Sequence, residues 1–245
     1  MRVAALADVH GNVPALEAVL EEVPDDATIV VGGDTAGGPW PGEVLDRLRS
    51  LGDRVVWVRG NVDVVAPDEV VTSDEERQAI EWNAAQLSDE QKGFLAALPL
   101  TEVVDVEGLG AVLFCHGTPW SDREIVTAVT SDERLRRILE GVEPRTIVGG
   151  HVHHQFDRTV DGYRWINAGS VGMAYEGRPG AFWALLGPDV EFRRTEYDVE
   201  AMVAAMRETD YPSVENQTEL LLTDIPTSEF VADYFERQAL EAEAS

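Results

Sequence analysis

Short apolar runs alternate with amphipathic segments along the first part of the chain. The apolar runs cover residues 3–7, 28–31 and 55–58. Between them, residues 13–23 and 43–51 place leucine and valine at intervals of three and four, the repeat of a helix with one buried face. Because strand and helix alternate in this way, we predict parallel pairing of the first strands.

The pattern changes after a helical stretch at residues 68–97, which reads as a lid or a flanking helical pair capped by Ser73 or Asp74. Beyond it, a polar helix is predicted near residues 132–140. Short strands are predicted at residues 102–106, 111–115, 146–148, 155–160, 163–167, 181–186 and 190–197. Asp161-Gly162 predicts a hairpin, because both residue types tolerate positive φ. Together these patterns predict an α/β (α+β) fold in which two mixed β-sheets face each other as a sandwich flanked by helices.

The end of the chain has a different composition. Residues 198–245 predict two helices around a polar stretch at residues 210–227. The sequence contains no internal repeat and no linker that would separate two domains. We therefore predict one domain over residues 1–200 and a helical C-terminal extension, residues 201–245, packed on the same domain.

Composition narrows the classes of partner. The 245 residues are 44% hydrophobic and 27% charged, an ordinary globular balance. No run approaches the roughly 18 to 20 apolar residues of a membrane helix, and the first strand begins at residue 2, so we expect a soluble, cytoplasmic protein with no membrane partner. The net charge of −27 disfavours binding of polymeric nucleic acid. Cys115 is the only cysteine, so no internal disulfide forms, and its apolar surroundings predict a buried residue.

Four of the five histidines lie in short motifs that follow predicted strands. A single such motif carries little weight, since a histidine beside a strand is usually a packed or solvated residue. Five motifs in order carry more, because loops that leave the carboxyl ends of strands converge on one crevice in α/β folds. The motifs are Asp8-Val9-His10, Gly33-Asp34, Gly60-Asn61, His116-Gly117 and Gly149-Gly150-His151-Val152-His153.

These residue types suit a pair of metal ions. Two divalent ions close together need a bridging carboxylate, for which Asp34 is the natural candidate, and neutral donors that leave room for water and substrate. Asp8 and His10 lie two residues apart after a strand, so strand alternation predicts that they face the same side, and the same holds for His151 and His153. Imidazole, carboxylate and amide donors together favour Mn, Fe, Zn, Ni or Co over Mg or Ca.

The ordered set resembles the calcineurin-like metallophosphoesterases over roughly residues 1–200, and within them the small bacterial and archaeal phosphodiesterases and the diadenosine-tetraphosphatase-like branch. Residues 166–172 are similar to the late Asn-Pro-Gly-Ser-Val-Gly block of those proteins, with Ala168 in place of proline. The resemblance implies two divalent transition metal ions. One ion would be held by Asp8, His10, Asp34 and His153, and the other by Asp34, Asn61, His116 and His151.

The resemblance also implies a mechanism, in which a metal-bridging hydroxide attacks phosphorus in line. Asn61 and His116 would stabilise charge on the phosphoryl oxygens, and Asp63 would orient the site without contacting metal. Many relatives carry a histidine that assists the leaving group where this chain has Val62. His154 could substitute or could be a solvated neighbour, and without an acid the favoured substrates are nucleotide anhydrides or aryl phosphates.

The expected activity is hydrolysis of phosphodiester, phosphomonoester or phosphoanhydride bonds in small, nucleotide-like substrates. The alternative is a metal-binding but inactive interaction module of the same fold, as in the retromer subunit that resembles these enzymes. A nuclease is opposed by the acidic charge and by the missing general acid. Serine chemistry is opposed because Gly169-Ser170-Val171-Gly172 lacks the spacing of a nucleophile elbow.

Overall fold

The computed structural model describes residues 1–63 and 74–244, and within them ten strands form two five-stranded sheets. The first sheet has the order β10-β9-β1-β2-β3, with β1 at Val3–Leu6, β2 at Thr28–Gly32, β3 at Val55–Val58, β9 at Ala181–Leu186 and β10 at Val190–Thr195. The second has the order β4-β5-β6-β8-β7, with β4 at Thr101–Val106, β5 at Gly110–Cys115, β6 at Thr146–Gly149, β7 at Gln155–Val160 and β8 at Tyr163–Ala168.

Both sheets are mixed, as the sequence predicts. In the first sheet β1 pairs in parallel with β2, and β2 with β3, whereas β9 and β10 are antiparallel. In the second sheet β5, β6 and β8 are parallel, with antiparallel β4 and β7 at the two edges. The hairpin predicted at Asp161-Gly162 joins β7 to β8, and both residues have positive φ.

Side-chain alternation explains why the central strands are apolar on both faces. In β1, Val3 and Ala5 point into the core shared with the second sheet, where they join Phe114 and Ile166. Ala4 and Leu6 of the same strand point the other way, into a cluster that includes Leu16 and Val19. The two sheets therefore form a sandwich with helices on its outer faces.

Eight α-helices occur in the described ranges. They are α1 (Val13–Glu22), α2 (Pro41–Arg49), α3 (Asp74–Gln86), α4 (Asp89–Ala96), α5 (Asp132–Ile138), α6 (Val199–Met206), α7 (Val214–Thr218) and α8 (Ser228–Glu243). The helical pair predicted at residues 68–97 corresponds to α3 and α4, with a capping box at Ser88 and Gln91. The predicted cap Ser73 lies outside the described residues, and Asp74 already belongs to the helix. No described helix is long and apolar enough to span a membrane.

The C-terminal region contains more structure than its sequence predicts. The polar stretch between α6 and α8 also holds α7 and a π-helical turn at Glu219–Thr223. Leu221 of this turn is buried in an apolar cluster with Met202 and Met206 of α6. Trp40 and Met173 from the preceding part of the chain pack against the same cluster.

Candidate metal centre

The predicted metal ligands all lie just beyond the carboxyl ends of strands from both sheets. Asp8, Asp34 and Asn61 follow β1, β2 and β3 of the first sheet. His116 follows β5 of the second sheet, and the segment with the remaining two histidines follows β6. Because the loops of the two sheets meet at one end of the sandwich, residues more than 100 positions apart lie side by side there.

The side chains form two clusters that share one residue. Asp8, His10, Asp34 and His153 make the first cluster, and Asp34, His116 and His151 make the second. Within each cluster the candidate ligand atoms lie no more than 4.8 Å apart. Asn61 adjoins the second cluster, since its Oδ1 lies 3.0 Å from Nε2 of His116. The structure thus brings together all seven residues and puts Asp34 between the clusters.

The backbone reaches this arrangement differently from the sequence expectation. Strand alternation is the wrong reason for Asp8 and His10 to converge, because both lie past the end of β1 with φ of 54° and 45°. Among the described residues six non-glycine residues have positive φ, and five are predicted ligands: Asp8, His10, Asp34, His151 and His153. Left-handed backbone is unfavourable for such residues and concentrates at functional sites.

Hydrogen bonds fix the orientation of the two histidines in the first cluster. Nδ1 of His10 donates to the carbonyl of Gly37 at 3.1 Å, and Nδ1 of His153 donates to the carbonyl of Met173 at 2.7 Å. The Nε2 atoms then face each other at 3.1 Å. When both rings are neutral, these atoms present lone pairs to each other, an arrangement that a cation between them would relieve.

Hydrogen bonds also orient the two histidines of the second cluster, but His151 uses the opposite ring nitrogen. Nδ1 of His116 donates to the carbonyl of Gly32 at 2.8 Å, so its Nε2 faces Oδ2 of Asp34 at 3.3 Å. In His151, Nε2 donates to the carbonyl of Arg123 at 3.2 Å. Nδ1 is therefore the atom that His151 can offer to a metal. Hydrogen bonds of this kind on the far ring nitrogen are typical of metal-binding histidines.

The carboxylates also expose acceptor atoms to the clusters. Oδ2 of Asp8 accepts the backbone N–H of His151 at 3.0 Å. Its Oδ1 is buried without a hydrogen-bond donor and lies 3.2 Å from Nε2 of His153. A buried, unpartnered carboxylate oxygen costs free energy unless a cation or proton approaches it. The donor set therefore fits divalent transition metal ions, which accept mixed nitrogen and oxygen ligands.

Burial and nearby carboxylates shift the pKa values of the histidines in the two clusters. Burial alone would lower the pKa of His116, but the Asp34 and Asp8 carboxylates outweigh it and raise that pKa to about 10. Asp8 likewise raises the pKa of His153 against the effect of burial. Burial lowers the pKa of His10, and it lowers that of His151 to about 4. The second cluster thus holds a protonated imidazole, that of His116, in the place of a cation.

We expect metal binding at the second cluster to release a proton from His116. A metal ligand must be deprotonated, so at pH 7 an ion bound at the second cluster should displace about one proton from His116. Metal affinity should therefore fall as the pH is lowered. Calorimetric titration with Mn²⁺ in two buffers of different ionisation enthalpy measures the number released. Equal heats in both buffers would contradict this proton assignment.

Asp63 accepts hydrogen bonds from the backbone of the loops that carry Asp34 and Asn61, and it belongs to neither cluster. Its Oδ1 accepts the N–H groups of Thr35 and Ala36 at 2.9 and 3.1 Å, and its Oδ2 accepts that of Gly60 at 2.9 Å. Burial and then the charge on Asp34 raise the pKa of Asp63 to about 7. The residue thus ties the loop of Asp34 to the loop of Asn61. Position 60 must be glycine, because a Cβ there would lie 2.1 Å from the backbone nitrogen of Asp34.

The sequence offers two positions for a leaving-group acid, residue 62 and His154, and the structure places them differently. Position 62 is beside the clusters, since the backbone N–H of Val62 donates to Oδ1 of Asp34 at 2.9 Å. His154 does not join either cluster. It is buried with its ring against Phe156, and burial lowers its pKa to about 4. His154 is therefore neither a solvated neighbour nor placed to replace the missing leaving-group acid.

Several residues that support the ligands were not singled out as such from the sequence. The hydroxyl of Ser170 donates to the carbonyl of Asp8 and accepts the N–H of Met173, both at 2.8 Å, which gives this serine a structural role. Asn167 donates from its side chain to the carbonyl of Gly150. Both belong to the block at residues 166–172, so the motif itself was the available signal. Tyr175, whose ring stacks on His153, lies outside that block.

Comparison with known proteins identifies the family of the chain. Residues 1–186 match the family model of the calcineurin-like phosphoesterase superfamily domain. The crystal structure of a metallophosphoesterase from Sphaerobacter thermophilus is 28% identical, with a TM-score of 0.71, over 85% of this chain and 94% of that one. A hypothetical protein from Pyrococcus horikoshii OT3 is 22% identical, with a TM-score of 0.77, over 90% and 97%, and shares the fold. A search of curated protein sequences found no match.

The family model covers most of the chain, including the six residues of the two clusters and Asn61. The two facing mixed sheets with flanking helices are the architecture expected from the sequence. On this basis the chain belongs to the calcineurin-like phosphoesterase superfamily.

Proposed function

We propose that the protein is a binuclear metal-dependent phosphoesterase that hydrolyses phosphodiester, phosphomonoester or phosphoanhydride bonds of small, nucleotide-like substrates. The observation that carries this proposal is the pair of clusters that share Asp34 and turn acceptor atoms toward one another. Divalent cations held there would polarise the phosphoryl group and lower the pKa of a water molecule. Mn, Fe, Zn, Ni and Co suit the donor set.

The residues of the site also explain how a very acidic protein could attract an anion. The net charge is −27, so the far field repels phosphate and, more strongly, nucleic acid polymers. Only two carboxylates, Asp8 and Asp34, belong to the described clusters. Two divalent cations would outweigh these charges and make the site locally positive. Asn61 turns Oδ1 toward the second cluster, which leaves its amide N–H groups to donate to a phosphoryl oxygen.

Metal content and turnover together test the proposal. The purified protein should bind close to two transition metal ions and, loaded with Mn²⁺ or Ni²⁺, should hydrolyse bis(p-nitrophenyl) phosphate or p-nitrophenyl phosphate. A panel of nucleotides, dinucleoside polyphosphates and cyclic nucleotides would then narrow the substrate. Binding of metal without turnover of any ester would favour the inactive interaction module instead. Failure to bind a transition metal under any loading condition would exclude both.

We expect His116→Ala and Asn61→Ala to lower turnover by at least about 10²- to 10³-fold, the typical cost of removing one group that stabilises transition-state charge. Both residues lie beyond strand ends, so the sheets should remain folded. Turnover and far-ultraviolet circular dichroism are measured on the same samples. His154→Ala is the matched control, because it removes an equally buried imidazole from outside the clusters. If the control loses as much activity as His116→Ala, the effect is one of packing.

A further inference from the structure

Tyr175 lies directly against a candidate metal ligand. Its ring stacks on the imidazole of His153, with ring centroids 4.7 Å apart and planes inclined by 22°. Its backbone N–H also donates to the carbonyl of His153 at 2.9 Å. The tyrosine and the histidine are thus fixed to each other through both backbone and side chain.

The loop that carries Tyr175 is held on its other side by the C-terminal region. Met173 accepts the Nδ1–H of His153 and packs into the apolar cluster formed with Met206 and Leu221. The N–H of Gly177 donates to the carbonyl of Pro226 at 2.8 Å. Residues 173–177 therefore lie between the metal centre and the C-terminal extension and are bonded to both. A side chain held in this way loses little conformational entropy when it binds a substrate.

The hydroxyl of Tyr175 remains available for a ligand. The side chain is half-buried, and within residues 1–63 and 74–244 its hydroxyl has no hydrogen-bond partner. Burial, followed by the charge on Asp8, raises the pKa of Tyr175. The ring lies against His153 beside the first cluster, and at neutral pH the phenol is a hydrogen-bond donor.

We propose that the hydroxyl of Tyr175 donates a hydrogen bond to a non-bridging oxygen of the phosphoester, which would make it a catalytic residue. This inference rests on the proposed phosphoesterase function. Charge spreads over the non-bridging oxygens during phosphoryl transfer, so a donor already in position stabilises the transition state. The role differs from that of a leaving-group acid, because a non-bridging oxygen is present whatever the leaving group is.

The test compares Tyr175→Phe, which keeps the stacked ring, with Tyr175→Ala, which removes it. Tyr163→Phe is the control, because the hydroxyl of Tyr163 donates to the carbonyl of Val142 and neither residue belongs to a cluster. Tyr175→Phe should lower kcat/KM about 10²-fold for every aryl phosphate in a series, leaving its dependence on leaving-group pKa unchanged. It should also weaken inorganic phosphate binding to the metal-loaded protein by about tenfold.

Metal affinity separates a catalytic role from a structural one. Chelator competition should give Tyr175→Phe the native metal affinity, whereas Tyr175→Ala should lose affinity at the cluster of His153. The inference is overturned if Tyr175→Phe loses metal as Tyr175→Ala does, keeps native phosphate affinity, or alters the leaving-group dependence. If the native protein hydrolyses no ester, the proposed function fails, while phosphate binding by the same variants still decides whether Tyr175 contacts the anion.

Discussion

Replacing Asp34 with asparagine should lower turnover more than any other single change at the site. Oδ2 of Asp34 lies 3.3 Å from Nε2 of His116 and 3.7 Å from Nε2 of His10, so one atom faces both clusters. Loss of the Asp34 charge should weaken metal binding at both clusters. We expect kcat/KM to fall by more than the roughly 10²- to 10³-fold that loss of one stabilising group costs. Metal content should fall at both sites.

Asp8→Asn is the informative comparison, because Asp8 belongs to the first cluster alone. It should lose metal mainly from that cluster and retain more activity than Asp34→Asn. Asp157→Asn removes a carboxylate paired with Arg164 on the second sheet and controls for the loss of one negative charge. Equal activity and equal metal content in Asp34→Asn and Asp8→Asn would show that the bridging role is assigned to the wrong residue.

The sequence predicts the positions of the site residues well for a simple physical reason. Buried parallel strands appear as short apolar runs, and the first polar residues after them must leave the sheet at its carboxyl edge. Asp8, Asp34 and His116 each follow such a run. Five separate runs with polar ends therefore suffice to predict a common crevice without any knowledge of which strands pair.

The local geometry could not be predicted in the same way. Strand alternation was the available rule for pairs such as His151 and His153, yet both residues have positive φ, at 71° and 58°. Such backbone is sparsely populated by residues with a Cβ and is imposed by surrounding contacts. Here Val152 between them is fully buried, and its N–H donates to the carbonyl of Gly150. No local propensity encodes a conformation that depends on long-range packing.

Long-range contacts also account for the residues that the sequence did not reveal. Tyr175 belongs to the site only because residues 173–177 pack between His153 and the C-terminal extension. The π-helical turn of the extension likewise places Leu221 in a cluster with residues of α6. His154 illustrates the opposite case, in which a histidine next to a ligand points into the apolar interior. Sequence adjacency could not separate these outcomes, since one residue along the chain changes the face that a side chain occupies.

Val62→His should change which esters the protein can cleave. General acid catalysis contributes about 10²- to 10⁴-fold, and it matters most when the leaving alkoxide is basic. With valine at this position, the native protein should show a steep fall in rate as leaving-group pKa rises. An imidazole at position 62 would lie beside the clusters, because the backbone N–H of Val62 donates to Oδ1 of Asp34. It should flatten that dependence and accelerate simple alkyl esters most.

A series of aryl and alkyl phosphates measured with the native protein, Val62→His and Val62→Leu checks this expectation. Val62→Leu adds bulk without an acid, so its leaving-group dependence should stay as steep as the native one. The slope reports proton delivery to the leaving group, whereas a uniform loss, as expected for Tyr175→Phe, reports contact with the non-bridging oxygens. A flat series in the native protein would mean that another group already delivers the proton. Because His154 is buried away from the clusters, that group would have to be a different residue.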